Sequence, residues 1–116
     1  MTQSNLEGTW KFTQSWGGGQ PYSFLADFSA NGEISINNGM FFGTYAILGQ
    51  TNQISLAIAD FNGNEKSITA YVGNIMGGAM GGQARGAKVG GNTSDGVWSA
   101  QKVSNVDENK GFHVPS

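Results

Sequence analysis

Short runs that alternate apolar and polar residues, cut at intervals by turn dipeptides, constrain this chain more than anything else in it. Asn31-Gly32, Asn38-Gly39 and Asn62-Gly63 each sit between two such runs. Asn-Gly tolerates the left-handed backbone of a tight hairpin, and period-two alternation is what a half-buried strand requires. No stretch carries a helical period. The chain therefore reads as hairpin following hairpin.

The first strand, 7–15, sets Gly8, Trp10 and Phe12 against Glu7, Thr9, Lys11 and Thr13, with Leu6 leading in on the apolar side. Trp16-Gly17-Gly18-Gly19-Gln20-Pro21 breaks it with a wide turn. Tyr22, Phe24, Ala26 and Phe28 then face one way, and Ser23, Leu25, Asp27 and Ser29 the other. Glu33 to Asn37 carries Ile34 and Ile36 on one side. Residues 40–48 are apolar on both faces, which suits a strand covered on both sides or a face used in self-association. Ile54, Leu56 and Ile58 alternate with Ser55, Ala57 and Ala59 up to Asp60. Glu65 to Val72 pairs back, with Ile68, Ala70 and Val72 opposite Ser67, Thr69 and Tyr71.

Between Gly73 and Gly96 the glycines are so dense that two readings stand. One is a pair of glycine-kinked strands, in which missing side chains let the sheet bend; the other is a long mobile loop. Strands are favoured, because a structureless insertion of that length is uncommon in a small domain. Val97 to Val103 is the last strand. The sum is about eight short strands, and the expected fold is all-β: a single-domain antiparallel up-and-down β-barrel over 1–103, with a β-sandwich as the alternative and 104–116 as a flexible C-terminal tail. Gly8-Thr9-Trp10 and Gly96-Val97-Trp98 open the first and last strands alike. Closure would bring those strands together, with Trp10 and Trp98 on one inner face.

Composition narrows function mainly by exclusion. Charged residues are 12% and the net charge is −2, so a phosphate-neutralising surface is not indicated and nucleic acid is not an expected partner. There is no cysteine, which removes disulfides, thiol chemistry and cysteine zinc sites. No apolar run approaches the roughly 20 residues of a spanning helix. Neither a basic n-region nor an apolar h-region opens the sequence, so no membrane partner and a cytoplasmic location are expected.

The glycine-rich stretch holds neither Gly-x-x-x-x-Gly-Lys-[Ser/Thr] nor Gly-x-Gly-x-x-Gly; Arg85 and Lys88 could hold an anion but read as solvated. His113, the single histidine, lies in the tail. Asp27 and Asp60 have no partner at a spacing that forces proximity, so no catalytic residue, metal ligand or cofactor is expected.

The remaining material is aromatic. Trp10, Phe12, Tyr22, Phe24, Phe28, Tyr45 and Trp98 are the candidate ligand-binding residues, as the walls of an internal cavity for one small hydrophobic or aromatic molecule. Side chains can also simply fill so small a barrel. Thr44, Ser99 and Gln101 are candidate hydrogen-bond partners for the buried Trp and Tyr groups.

Gly8-Thr9-Trp10 resembles the Gly-x-Trp that opens the first strand of the calycin group: lipocalins, fatty-acid-binding proteins and avidins. Phe28-Ser29-Ala30-Asn31-Gly32 resembles their strand-turn pattern, and Gly43-Thr44-Tyr45 is similar to a tripeptide of the avidin branch. Trp98-Ser99-Ala100-Gln101-Lys102 resembles the Trp-x-Ala-x-Arg of the last avidin strand, with Lys at the Arg position. The resemblance implies the barrel. It does not carry the biotin site, because avidins place a polar residue, usually Asn, two positions after the first Trp, where this chain has Phe12. The tryptophans that line a biotin pocket from the middle of the chain are also missing.

The expectation is thus a non-enzymatic binding barrel. A filled barrel that self-associates as a homo-oligomer through its outer face, using 40–48 and Leu25, is the alternative. A barrel isomerase or cyclase acting by shape is the enzymatic option.

Overall fold

The computed structural model describes residues 6–36, 41–49, 51–60, 66–88, 91 and 93–104. Eight strands follow one another: β1 (Gly8–Trp16), β2 (Tyr22–Phe28), β3 (Glu33–Ile36), β4 (Phe41–Ile47), β5 (Gln53–Asp60), β6 (Ser67–Met76), β7 (Ala79–Lys88) and β8 (Thr93–Ser104). Each pairs antiparallel with the next, and β8 returns to β1, closing the barrel. The up-and-down barrel expected from the alternation is what forms, and closure leaves no strand edge exposed. Among the described residues no helix is long and apolar enough to cross a membrane.

The 73–96 stretch resolves into strands. Gly77 and Gly78 make a two-residue hairpin between Met76 and Ala79, with Gly77 at φ 65°. The Asn31-Gly32 hairpin has a three-residue loop, one longer than the tightest turn. Ser29 N–H donates to the Glu33 carbonyl at 2.9 Å, and Gly32 supplies the positive φ, 94°. Asn38-Gly39, Asn62-Gly63 and His113 lie outside the described residues. Ser104 belongs to β8, and 105–116 lie outside the described residues as well.

One face assignment differs from simple hydrophobic alternation. β6 turns Ser67, Thr69, Tyr71, Gly73 and Ile75 inward and leaves Ile68, Ala70, Val72 and Met76 on the outside. Tyr71 is 2% exposed while Ile68 is 57% exposed. Register decides this: Tyr71 lies opposite the inward Leu56 on β5 and Ala84 on β7, and slipping by one residue would reverse every side chain.

The two tryptophans of the Gly-x-Trp stretches are both buried but sit at different heights. Trp98 lies opposite Gln14, and Trp10 lies opposite Lys102, whose ammonium stands 5.9 Å from the indole centre. Their N–H groups donate to backbone carbonyls, Trp10 to Leu6 at 2.9 Å and Trp98 to Val72 at 3.1 Å. Thr44, Ser99 and Gln101, expected to serve that role, point outward and are exposed. Trp10, Phe28 and Tyr45, with Leu6, Ile34, Ile54 and Met80, fill the end of the barrel that carries the Asn31-Gly32 and Gly77-Gly78 hairpins.

Candidate functional site

The opposite end is hollow. A cavity of about 570 Å³ opens there, and every strand lends it at least one side chain or glycine. Trp16, Tyr22, Phe24 and Phe41 form aromatic wall, Ile36 and Ile58 aliphatic wall, and Gln14, Thr69 and Tyr71 the polar groups. Lys88 stands at the end of β7 on the rim.

Phe12 closes the floor. It is fully buried and stacked between Phe24 (centroids 5.2 Å apart) and Trp98 (5.4 Å), with the edge of Tyr71 against it at 5.9 Å. Gln14 is the next inward residue on β1, so the cavity begins where this aromatic layer ends.

A chain of hydrogen bonds crosses the cavity above that floor. Tyr71 O–H donates to Gln14 Oε1 at 2.7 Å; Gln14 Nε2 donates to the Tyr22 hydroxyl oxygen, which also accepts from Trp16 Nε1 at 2.8 Å. With both lone pairs of Tyr22 engaged, its own O–H proton is left to be given to something else. Burial pushes the Tyr71 phenol well above the usual tyrosine range, helped by the neighbouring Tyr22 and opposed by hydrogen bonds with Gln14 and Thr69. Tyr71 is therefore a neutral hydrogen-bond group here.

Trp16 owes its place to glycine. A β-carbon on Gly96 would lie 3.0 Å from the Trp16 Cε3 atom, and one on Gly86 would lie 3.2 Å from its Cη2. The six-membered ring of the indole thus lies against two strands at positions that carry hydrogen where other residues carry a β-carbon. The bond to Tyr22 fixes its other edge.

Of the seven candidate residues, Tyr22 and Phe24 line the cavity, and Phe12 and Trp98 form the layer beneath it. Trp10, Phe28 and Tyr45 belong to the filled end. Gln14, Trp16, Phe41, Thr69 and Tyr71 were not singled out by the sequence reading. A signal existed for Gln14 and Trp16, because both continue the inward parity of Trp10 and Phe12. The glycine triplet that follows makes Trp16 look like the start of a turn.

The groups weighed for acid-base or anion chemistry are dispersed. Asp27 is buried on the outer side of β2, where it accepts a hydrogen bond from Thr9 Oγ1 at 2.6 Å. Arg85 lies in strand β7 rather than a loop, points outward and pairs with Asp95 at 3.0 Å. With both side chains mostly exposed, that ion pair contributes less than about 1 kcal/mol. Among the described residues no three His, Cys, Asp or Glu side chains gather at a metal-binding distance. A search of protein-family models finds none that matches this chain, and no curated protein matches it.

The two buried tyrosines make stability depend on alkaline pH. Burial, with Glu7 adding to it, pushes the Tyr45 phenol up to about 12, and Tyr71 is raised as well. A folded-state pKa above the unfolded value of 10.0 means the native chain holds the proton more tightly. This stabilisation is full below the unfolded value and is lost as pH rises through the folded one. The urea midpoint is expected to fall steadily over that alkaline window, with tyrosinate absorbance appearing together with unfolding. Ionisation of Tyr45 and Tyr71 at the ordinary phenol value in a folded barrel would contradict it.

Proposed function

We propose that this protein is a non-enzymatic binding barrel that takes up one small, uncharged, planar hydrophobic or aromatic molecule carrying a hydrogen-bond acceptor. The observation that carries this reading is the cavity of about 570 Å³, open at one end and walled by Trp16, Tyr22, Phe24 and Phe41. Its volume falls in the range that holds a drug-sized ligand, and mostly apolar walls with a few convergent polar groups are the usual make-up of such sites. The Tyr22 O–H proton, left over when the hydroxyl oxygen accepts from Gln14 and Trp16, suits a carbonyl or ring nitrogen. No described carboxylate lines the site, so a cationic ligand has no counter-charge there. The short motifs shared with calycin barrels, whose members carry ligands inside, support the same reading.

Native mass spectrometry of the chain purified from its own host is the direct test. A small molecule bound at one per barrel is expected. In titrations with an environment-sensitive apolar dye, Trp16→Ala is expected to weaken binding about 10-fold, the loss of one large aromatic contact. Phe42→Ala, on the outer wall, should leave it unchanged. A barrel that carries nothing and leaves the dye dark would sink the proposal.

A further inference from the structure

The outer wall over β4, β5 and β6 is unlike the rest of the surface. Phe42, Leu48, Ile68, Val72 and Met76 expose between 51% and 73% of their surfaces there. None of the described outward side chains on these three strands is charged: β4 presents Phe42, Thr44 and Ala46, β5 presents Gln53, Ser55, Ala57 and Ala59, and β6 continues with Ile68, Ala70, Val72, Asn74 and Met76. The other walls carry Lys11, Glu33, Arg85 and Asp95, all exposed.

Size follows a pattern across the wall. An eight-stranded barrel is convex, so β4 and β6 fall back from a crest along β5 by roughly 2 Å. Along the crest Ser55, Ala57 and Ala59 are small, and the crest ends on the longer Gln53 beside Leu48. The large side chains stand on the flanking strands, where their length makes up the drop. The outcome is a flat apolar face on a curved wall.

We propose that this face is the interface of a symmetric homodimer, with a two-fold axis lying in the interface along β5. Such an axis lays β4 of one copy over β6 of the other and matches the face row for row. Phe42, Ala59 and Ile68 share one row, so Phe42 meets Ile68 of the second copy. Ala46, Ser55 and Val72 share another, so a large Val72 meets a small Ala46. Each contact occurs twice, which is the self-complementarity that an isologous interface requires. The five large residues and the small ones between them present roughly 700 Å², close to the ~800 Å² per partner of a standard stable interface and about a tenth of the chain's surface. Within the face a charged group would find no counterpart, since Glu33 and Arg85 stand at its two edges, opposite Thr44 and Ala70; a second copy finds its own surface.

The interface lies outside the barrel and does not depend on what the cavity holds. Sedimentation velocity on the full chain from low to high micromolar concentration is expected to show a dimer. Ile68→Asp with Val72→Asp should raise the dimer dissociation constant at least about 100-fold, because each buries a charge within the face. Far-ultraviolet circular dichroism should stay that of the barrel, since both positions are exposed in a single copy. Leu25→Asp on β2, equally exposed, should leave the dimer intact. If the double variant does not fold, Phe42→Ser gives an independent reading from β4. A wild-type chain that stays monomeric at the highest concentration overturns the proposal, including the case where it binds only another protein through this wall. So does a dimer that survives the β6 charges.

Discussion

Phe12→Ala is expected to lower the unfolding free energy by about 4 kcal/mol, within the usual range for deleting a buried phenylalanine. Phe12 has no exposed surface, and four aromatic rings lie within 6.0 Å of its centroid: Phe24, Phe28, Tyr71 and Trp98. Those rings come from β2, β6 and β8, so no single side chain can move into the space without unmaking another contact. A void is left, and it lies beside Phe24 and beneath Gln14 at the base of the cavity. Two consequences can then be read in one urea titration. The midpoint falls while its slope holds, because the surface exposed on unfolding hardly changes. Adding a small arene restores part of the loss, since an apolar void binds such molecules and stabilises the native state by mass action. Phe12→Leu should retain most of the stability and gain little from the arene. A loss below about 1 kcal/mol for the alanine variant would show that Phe12 does not hold the floor.

Phe12 also marks where sequence reasoning reached and where it stopped. Alternation placed it inside, and the comparison with avidins made it the residue that departs from a polar position. Both follow from local pattern. That it separates a filled half from a hollow half does not, because this depends on which residues β6 and β8 bring to the same height. Closure was legible in the same way, through the parity of Trp10 and Trp98 on the terminal strands. The orientation of β6 was not. Alternation divides Ile68, Ala70 and Val72 from Thr69 and Tyr71 but does not say which set is inside, and the more apolar set is the one left out.

The outward β6 face and the hollow end share one physical origin. The interior must hold Trp16 and Trp98 from the strands around the seam, and Tyr71 from β6 meets Trp98 edge-on and donates its O–H to Gln14. An inward Ile68 or Val72 could not complete that hydrogen-bonded layer. Polar groups thus enter the interior where they can be satisfied, and aliphatic ones are displaced onto a wall where a second copy can cover them. In this chain the unusual exterior is a consequence of the unusual interior.

Gly82→Ala is expected to abolish folding or to cost more than about 3 kcal/mol, a large part of the stability of a domain this size. A β-carbon there would lie 2.1 Å from the Val72 carbonyl oxygen and 2.6 Å from the Gly73 α-carbon. Both are backbone atoms of the paired strand, so no rotamer change relieves the overlap and β6 must move away from β7. Gly73 faces Gly82 in the ladder, and its own missing β-carbon would lie 2.9 Å from Cζ2 of Trp98, whose residue pairs with Gly82 from β8. Gly82 thus lets the backbones of β6 and β7 approach, and Gly73 leaves room for the Trp98 indole as Gly86 does for Trp16. Identical chemistry elsewhere should behave differently. Gly78→Ala meets nothing within 4 Å, and Gly78 lies outside the left-handed region, so its stability should change by less than about 0.5 kcal/mol. Gly86→Ala meets first the far end of the Trp16 side chain, so the barrel should fold while the indole shifts and dye binding weakens. Urea denaturation of the three variants, with dye titration of those that fold, reads the series. Equal tolerance at positions 78 and 82 would mean that the glycines only loosen the chain. The ordering 82, then 86, then 78 would mean that tolerance follows what a β-carbon would meet: paired backbone at 82, the Trp16 ring at 86 and open space at 78.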